Sequence, residues 1–155
     1  MQWSTDRHGG FSEARDPDAL CRPVVSAEGW GPERVNVAAQ RRDPASLMNW
    51  MERLIRRRRE CPELGWGEIT VLDAGYDAVL AHRADWDDST VVALHSFAPE
   101  RLEARLELES GIGEAVDLLD GESVAPDGDG VLSVPLDPYG YRWFRLRRDG
   151  RRLPP

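Results

Sequence analysis

The chain has 155 residues, 41% hydrophobic and 31% charged, a length for one ordinary domain and a composition of folded rather than disordered chains. Its 28 acidic residues outnumber 20 basic ones, and the resulting net charge of −8 repels phosphate backbones, which argues against a nucleic-acid partner. No apolar run approaches the ~20 residues that span a bilayer, and no basic-then-apolar secretory leader opens the chain, so a cytoplasmic protein with no membrane partner is expected.

Residues 1–45 carry closely spaced breakers at Gly9-Gly10, Asp16-Pro17, Gly29, Gly31-Pro32 and Asp43-Pro44, and read as loop. An irregular segment this long is unusual inside a self-contained domain. It needs a function of its own or a large neighbour to lie on. Residues 44–60 then predict a helix, with Asp43 as N-cap and Pro44 at the first helical position, where a missing N–H costs nothing. Leu47, Trp50, Met51, Leu54 and Ile55 recur at helical spacing and form one apolar stripe. The helix should stop before Pro62, because the residue preceding a proline is pushed out of the α region.

From Glu68 onward the pattern predicts seven short strands: 68–72, 78–83, 90–96, 102–108, 115–119, 131–135 and 141–146, separated by Asp- and Gly-rich turns. Leu102, Ala104, Leu106 and Leu108 alternate with Glu103, Arg105, Glu107 and Glu109, as in a half-buried strand. Strands at this spacing predict a mainly β fold, an antiparallel β-sandwich. The basic, proline-ended tail is expected to fray.

The residues that could carry chemistry are few. Cys21 and Cys61 have neither metal-ligand spacing nor the arithmetic of a disulfide framework and read as free thiols, so no metal or cofactor is expected. Asp85, Asp87 and Asp88 around Trp86, and Asp127 and Asp129 around Gly128, lack the glutamate and spacing of a calcium loop and read as solvated turns. His82 and His95 fall inside strands with no nucleophile beside them and read as structural. Arg56 to Arg59 read as a solvated helix face.

Met1-Gln2-Trp3-Ser4, followed by Arg7-His8-Gly9-Gly10-Phe11-Ser12, resembles the loop after the eighth barrel strand in glycoside hydrolase family 13, the α-amylase superfamily, of trehalose synthase or α-glucosidase type. The resemblance continues through Val35 to Gln40 and Asp43 to Leu47, and through Asn49-Trp50 into the arginines that follow. It ends on Tyr139-Gly140-Tyr141-Arg142-Trp143-Phe144, similar to the aromatic last strand of that family's domain C. His8 replaces the asparagine usual before the glycines, and Ala38 stands where these enzymes often carry glutamate.

The resemblance implies that residues 1–61 are the C-terminal end of a catalytic (β/α)8 barrel, 62–150 a β-sandwich domain C and 151–155 a tail. Met1 then matches an internal position of the family, as in a misplaced start, a gene remnant or a deliberate excision. The aspartate nucleophile, glutamate acid and second aspartate of the family belong to barrel strands before this loop, so no catalytic residue is expected here and the chain alone should be inactive. Gln2, Trp3 and Phe11 are implied at the rim of the sugar pocket, with packing of Trp3 against the barrel as the simpler alternative. The implied partners are an α-linked glucose disaccharide or oligosaccharide and the missing barrel. Two other functions stay open: a stand-alone glucan-binding sandwich using Trp66 and Trp86, and a non-functional gene remnant.

Overall fold

The computed structural model describes residues 2–148, so the tail 151–155 lies outside the described residues. The chain divides into two units, between Arg56 and Arg57.

The first unit is less irregular than its breakers suggest. Two single-turn 3-10 helices, Arg7–Gly10 and Pro17–Ala19, precede α1 (Val37–Arg42). Asn36 caps α1, its side-chain oxygen accepting from the Ala39 N–H at 2.7 Å. Helix α2 (Leu47–Arg59) begins three residues later than expected. Asp43 instead forms a tight turn, its carboxylate accepting from the Ala45 N–H at 2.9 Å. Ser46 becomes the effective cap, with its hydroxyl oxygen 3.3 Å from the Asn49 N–H and its carbonyl accepting from Trp50 at 2.9 Å. The junction from α1 is knit by Gln40, whose carbonyl accepts from the Ser46 hydroxyl and the Asn49 amide. No α2 residue is buried, and Leu47, Met51 and Ile55 are exposed, Leu47 by 69%.

In the second unit α3 (Glu63–Trp66) is a single turn that the sequence reading missed. Among the described residues eight strands follow, all paired antiparallel: β1 (Glu68–Leu72), β2 (Val79–Trp86), β3 (Ser89–Ser96), β4 (Leu102–Glu107), β5 (Ile112–Asp117), β6 (Ser123–Val124), β7 (Val131–Leu136) and β8 (Tyr141–Arg148). Six form one sheet in the order β1-β2-β3-β8-β5-β6, and β4 pairs with β7 in a second. The core lies between the sheets. Ala104 and Leu106 of β4 and Leu132, Val134 and Leu136 of β7 pack with Ala81, Val92, Leu94, Ala115 and Phe144 of the larger sheet. The expected sandwich is present, with the alternation of β4 facing its apolar half inward. Central β3 is buried on both faces from Val91 to Leu94, hence its unbroken apolar run. Strand β2 runs three residues past the expected end and takes Asp85 with it. That residue is not a solvated turn: its carboxylate accepts from Arg83 and from the Thr90 hydroxyl, each at 2.6 Å. The turn at Asp127 is as expected, its carboxylate accepting from the N–H groups of Asp129 and Val131.

Candidate functional site

The N-terminal loop is built on glycine. Gly9 sits at φ +64°, and its carbonyl accepts from the N–H groups of Trp3 (2.8 Å) and Ser4 (3.2 Å). A Cβ there would lie 2.9 Å from the Gln2 Cγ, so only glycine lets the turn close over Gln2. His8, beside it, adopts φ +57° and places its Nε2 2.8 Å from the Ala14 carbonyl. The Gln2 backbone bridges to Asn36, its carbonyl accepting from Val37 at 2.8 Å, while the Trp3 carbonyl accepts from Ala38 at 3.0 Å. The loop is thereby stitched to the start of α1.

Within the first unit lies a half-open concavity of about 840 Å³. Gln2 is only 4% exposed, lines the cavity and donates from Nε2 to the Trp30 carbonyl at 3.2 Å. Phe11 lines the same cavity and is itself exposed. Trp3 is exposed and is not among the lining residues. Two of the three residues named from the sequence thus share one cavity. Trp30, Leu20, Val24 and Arg22, which also line it, were not singled out, because residues 13–35 show no periodicity from which a wall could be read.

The lining offers an amide, an imidazole, a hydroxyl and a guanidinium set in apolar walls, and among the described residues no aspartate or glutamate. Such a surface can bind a neutral, hydroxyl-rich molecule. Those described residues include no carboxyl pair of the kind retaining glycosidases set about 5–5.5 Å apart.

In the second unit the two most buried carboxylates, Glu63 and Asp117, are each held by an arginine. Glu63, 1% exposed, receives the Arg145 guanidinium at 3.0 and 3.2 Å and the Ser89 hydroxyl at 2.5 Å. His82 and His95 stack in parallel with ring centres 6.1 Å apart. Burial lowers the pKa of each, and the charge of His82 lowers that of His95 further. Cys21 is exposed and Cys61 buried, neither in a disulfide, and burial raises the Cys61 pKa away from reactivity. Among the described residues no group of three or more His, Cys, Asp or Glu could hold a metal, and no helix is long and apolar enough to cross a membrane.

Comparison with known proteins places these features. Residues 89–145 match the family model for the sucrose hydrolase-like C-terminal domain. A trehalose synthase of Pimelobacter sp. is 30% identical over 151 residues, covering 94% of this chain and 26% of the relative. The trehalose synthase/amylase TreS of Mycobacterium tuberculosis is 30% identical over 159 residues, covering all of this chain and 26% of the relative. The chain therefore spans about a quarter of the length of these curated relatives. The crystal structure of trehalulose synthase MutB from Pseudomonas mesoacidophila superposes with a TM-score of 0.66 at 24% identity, over 94% of this chain and 24% of that one. The α-amylase of Geobacillus thermoleovorans, crystallised with acarbose, gives 0.60 at 24% identity over 69% of this chain and 24% of its own.

Proposed function

Because this chain belongs to the α-amylase family, glycoside hydrolase family 13, as a C-terminal portion related to trehalose synthase, we propose that it serves a cytoplasmic enzyme interconverting or cleaving α-linked glucosides. In this reading residues 1–61 complete a catalytic barrel and 62–150 form the sandwich that buttresses it. Helix α2 closes the barrel's ring, and the catalytic acids come from barrel strands that this sequence does not contain. One observation carries the reading. Three of the five residues of the α2 apolar stripe, Leu47, Met51 and Ile55, are exposed, and Trp50 and Leu54 are half-buried, although a stripe at this spacing is built to cover a sheet. Gln2 and Phe11 in the cavity wall, with Trp3 on the adjoining loop, are then rim residues for the sugar, supplying an amide and aromatic faces rather than chemistry.

The test is complementation. Co-expression with the barrel segment of a trehalose synthase should yield a co-purifying pair that converts maltose to trehalose, while this chain alone leaves maltose untouched. Turnover of maltose by the chain alone, or a barrel segment that never co-purifies, overturns the reading. A second reading, a stand-alone glucan-binding sandwich, draws support from Trp66 and Trp86, both exposed and flanking the paired strand ends Glu68 and Asp85. It predicts sugar affinity that disappears in Trp66→Ala and Trp86→Ala.

A further inference from the structure

We infer that the sandwich end opposite Trp66 and Trp86 carries a surface site for a neutral oligosaccharide, built from Tyr76, Phe97 and Tyr139. Backbone hydrogen bonds bring the three turns that bear these rings together. The Phe97 N–H donates to Ala78 at 2.8 Å, beside the Tyr76 turn, and the Tyr139 N–H donates to Ala98 at 3.0 Å. Phe97 is 65% exposed, Tyr139 67%, and Tyr76 is exposed as well. Single exposed aromatics are ordinary on protein surfaces, but here three sit on adjoining turns at one end of the sandwich.

Tyr139 adds an argument of its own. Its φ of +53° lies in the left-handed region, where glycine or asparagine would sit with less strain. The turn nonetheless holds a tyrosine there and leaves its ring in water, so the ring's use lies outside the fold.

The polar surroundings select the ligand. Beside Tyr76 lies a concavity of about 640 Å³ whose lining includes Asp73 and Asp77, acceptors for hydroxyl groups and a barrier to anions. A basic peptide is the rival occupant. It fits less well, because Asp137 already has Arg101 within 3.8 Å, and one Asp73 oxygen is held by the Gly75 N–H at 2.8 Å. Aromatic faces for C–H surfaces, with Asp77 and the second Asp73 oxygen as acceptors for hydroxyls, match a sugar chain. Its identity as an α-glucan rests on the enzyme reading above.

The experiment is calorimetric titration of the full chain with maltoheptaose, with cellohexaose and hexalysine as comparison arms. Binding of maltoheptaose with a millimolar dissociation constant is expected. Phe97→Ala and Tyr139→Gly should each weaken it at least tenfold. Tyr139→Gly should also unfold at the same or a higher temperature, since it relieves the positive φ, and Tyr139→Asn keeps a side chain that tolerates that φ as a second check. Absence of maltoheptaose binding, wild-type affinity in Phe97→Ala or Tyr139→Gly, tighter binding of hexalysine, or loss of sugar binding only in Trp66→Ala and Trp86→Ala would each overturn the inference. Preference for cellohexaose would overturn the α-glucan assignment. Complementation with a barrel reads α2 and the N-terminal loop, so failure here is distinguishable from failure of the enzyme reading.

Discussion

Glu63 and Arg145, 82 residues apart, are joined by two hydrogen bonds of 3.0 and 3.2 Å on the face of the larger sheet that turns away from the core. The pair fixes α3 to β8, and the Ser89 hydroxyl ties the same carboxylate to the start of β3. The two partners are not equally buried. Glu63 is almost wholly enclosed, whereas the Arg145 side chain keeps 22% of its surface in water. Removing either breaks the pair, but removing the arginine strands the more buried charge. Arg145→Ala should therefore destabilise more than Glu63→Ala, the latter by about 3 kcal/mol, the low end for breaking a buried pair. Urea unfolding followed by tryptophan fluorescence gives the order, and equal or reversed midpoints would refute it.

Gly67 offers a second test at the same junction. Its φ of −71° is one any residue adopts, so the constraint is space. A Cβ would fall on the Glu63 carbonyl oxygen and within 2.8 Å of the Asp85 carbonyl oxygen, both backbone atoms. Gly67→Ala should cost about 2–3 kcal/mol, the upper range for overpacking. Gly75→Ala meets nothing within 4 Å and bears only its φ of +80°, a penalty of about 1 kcal/mol. Comparable unfolding midpoints for the two variants would show that the strand end relaxes freely.

The stacked histidines set a pH dependence. Burial holds His82 and His95 below the ordinary histidine value, so the unfolded chain binds more protons than the folded one as pH drops below about 6.5. Stability should fall as pH is lowered from 7.5 to 5.5 and recover as it is raised. The hydrogen bonds from Arg83 to Glu109 and from Ser123 to Glu114 hold those carboxylates below their usual value, but their contribution fades only near and below about pH 4.3. The two windows are separate. The double variant His82→Asn, His95→Asn should flatten the thermal midpoint between pH 7.5 and 5.5. An unchanged slope in that variant would assign the effect elsewhere.

What could be read from the chain follows from how locally each feature is encoded. The alternation from Leu102 to Leu108 and the apolar run through β3 carry their burial in their own residue order, and both stand as read. Strand β6 is two residues long and has no period to detect. Helix α3 is one turn containing Gly65, and the burial of Glu63 depends on an arginine in the last strand. Helix α2 starts later than its sequence suggests because Asp43-Pro44 serves a turn as readily as a cap. At the candidate site Gln2 and Phe11 were legible only through the family-like loop. Trp30 and the rest of the wall depend on how an aperiodic segment folds back, which no local pattern reports.

The exposed stripe of α2 yields the last prediction. Leu47, Met51 and Ile55 lie at i, i+4 and i+8 on one face and are exposed by 69%, 42% and 52%. Apolar residues so exposed contribute little to folding and favour association with other apolar surfaces. Replacing them with Glu, Lys and Glu should leave the unfolding free energy within about 0.5 kcal/mol, as for surface changes elsewhere. Leu47→Glu also places an acid in the first turn, where the helix dipole favours it. The same triple variant should be less prone to aggregate on its own and should lose co-purification with a barrel segment. Sedimentation velocity reads the first effect and the complementation assay the second. A stability loss of several kcal/mol would mean that the stripe is held within this chain after all, and the enzyme reading would lose the observation it stands on.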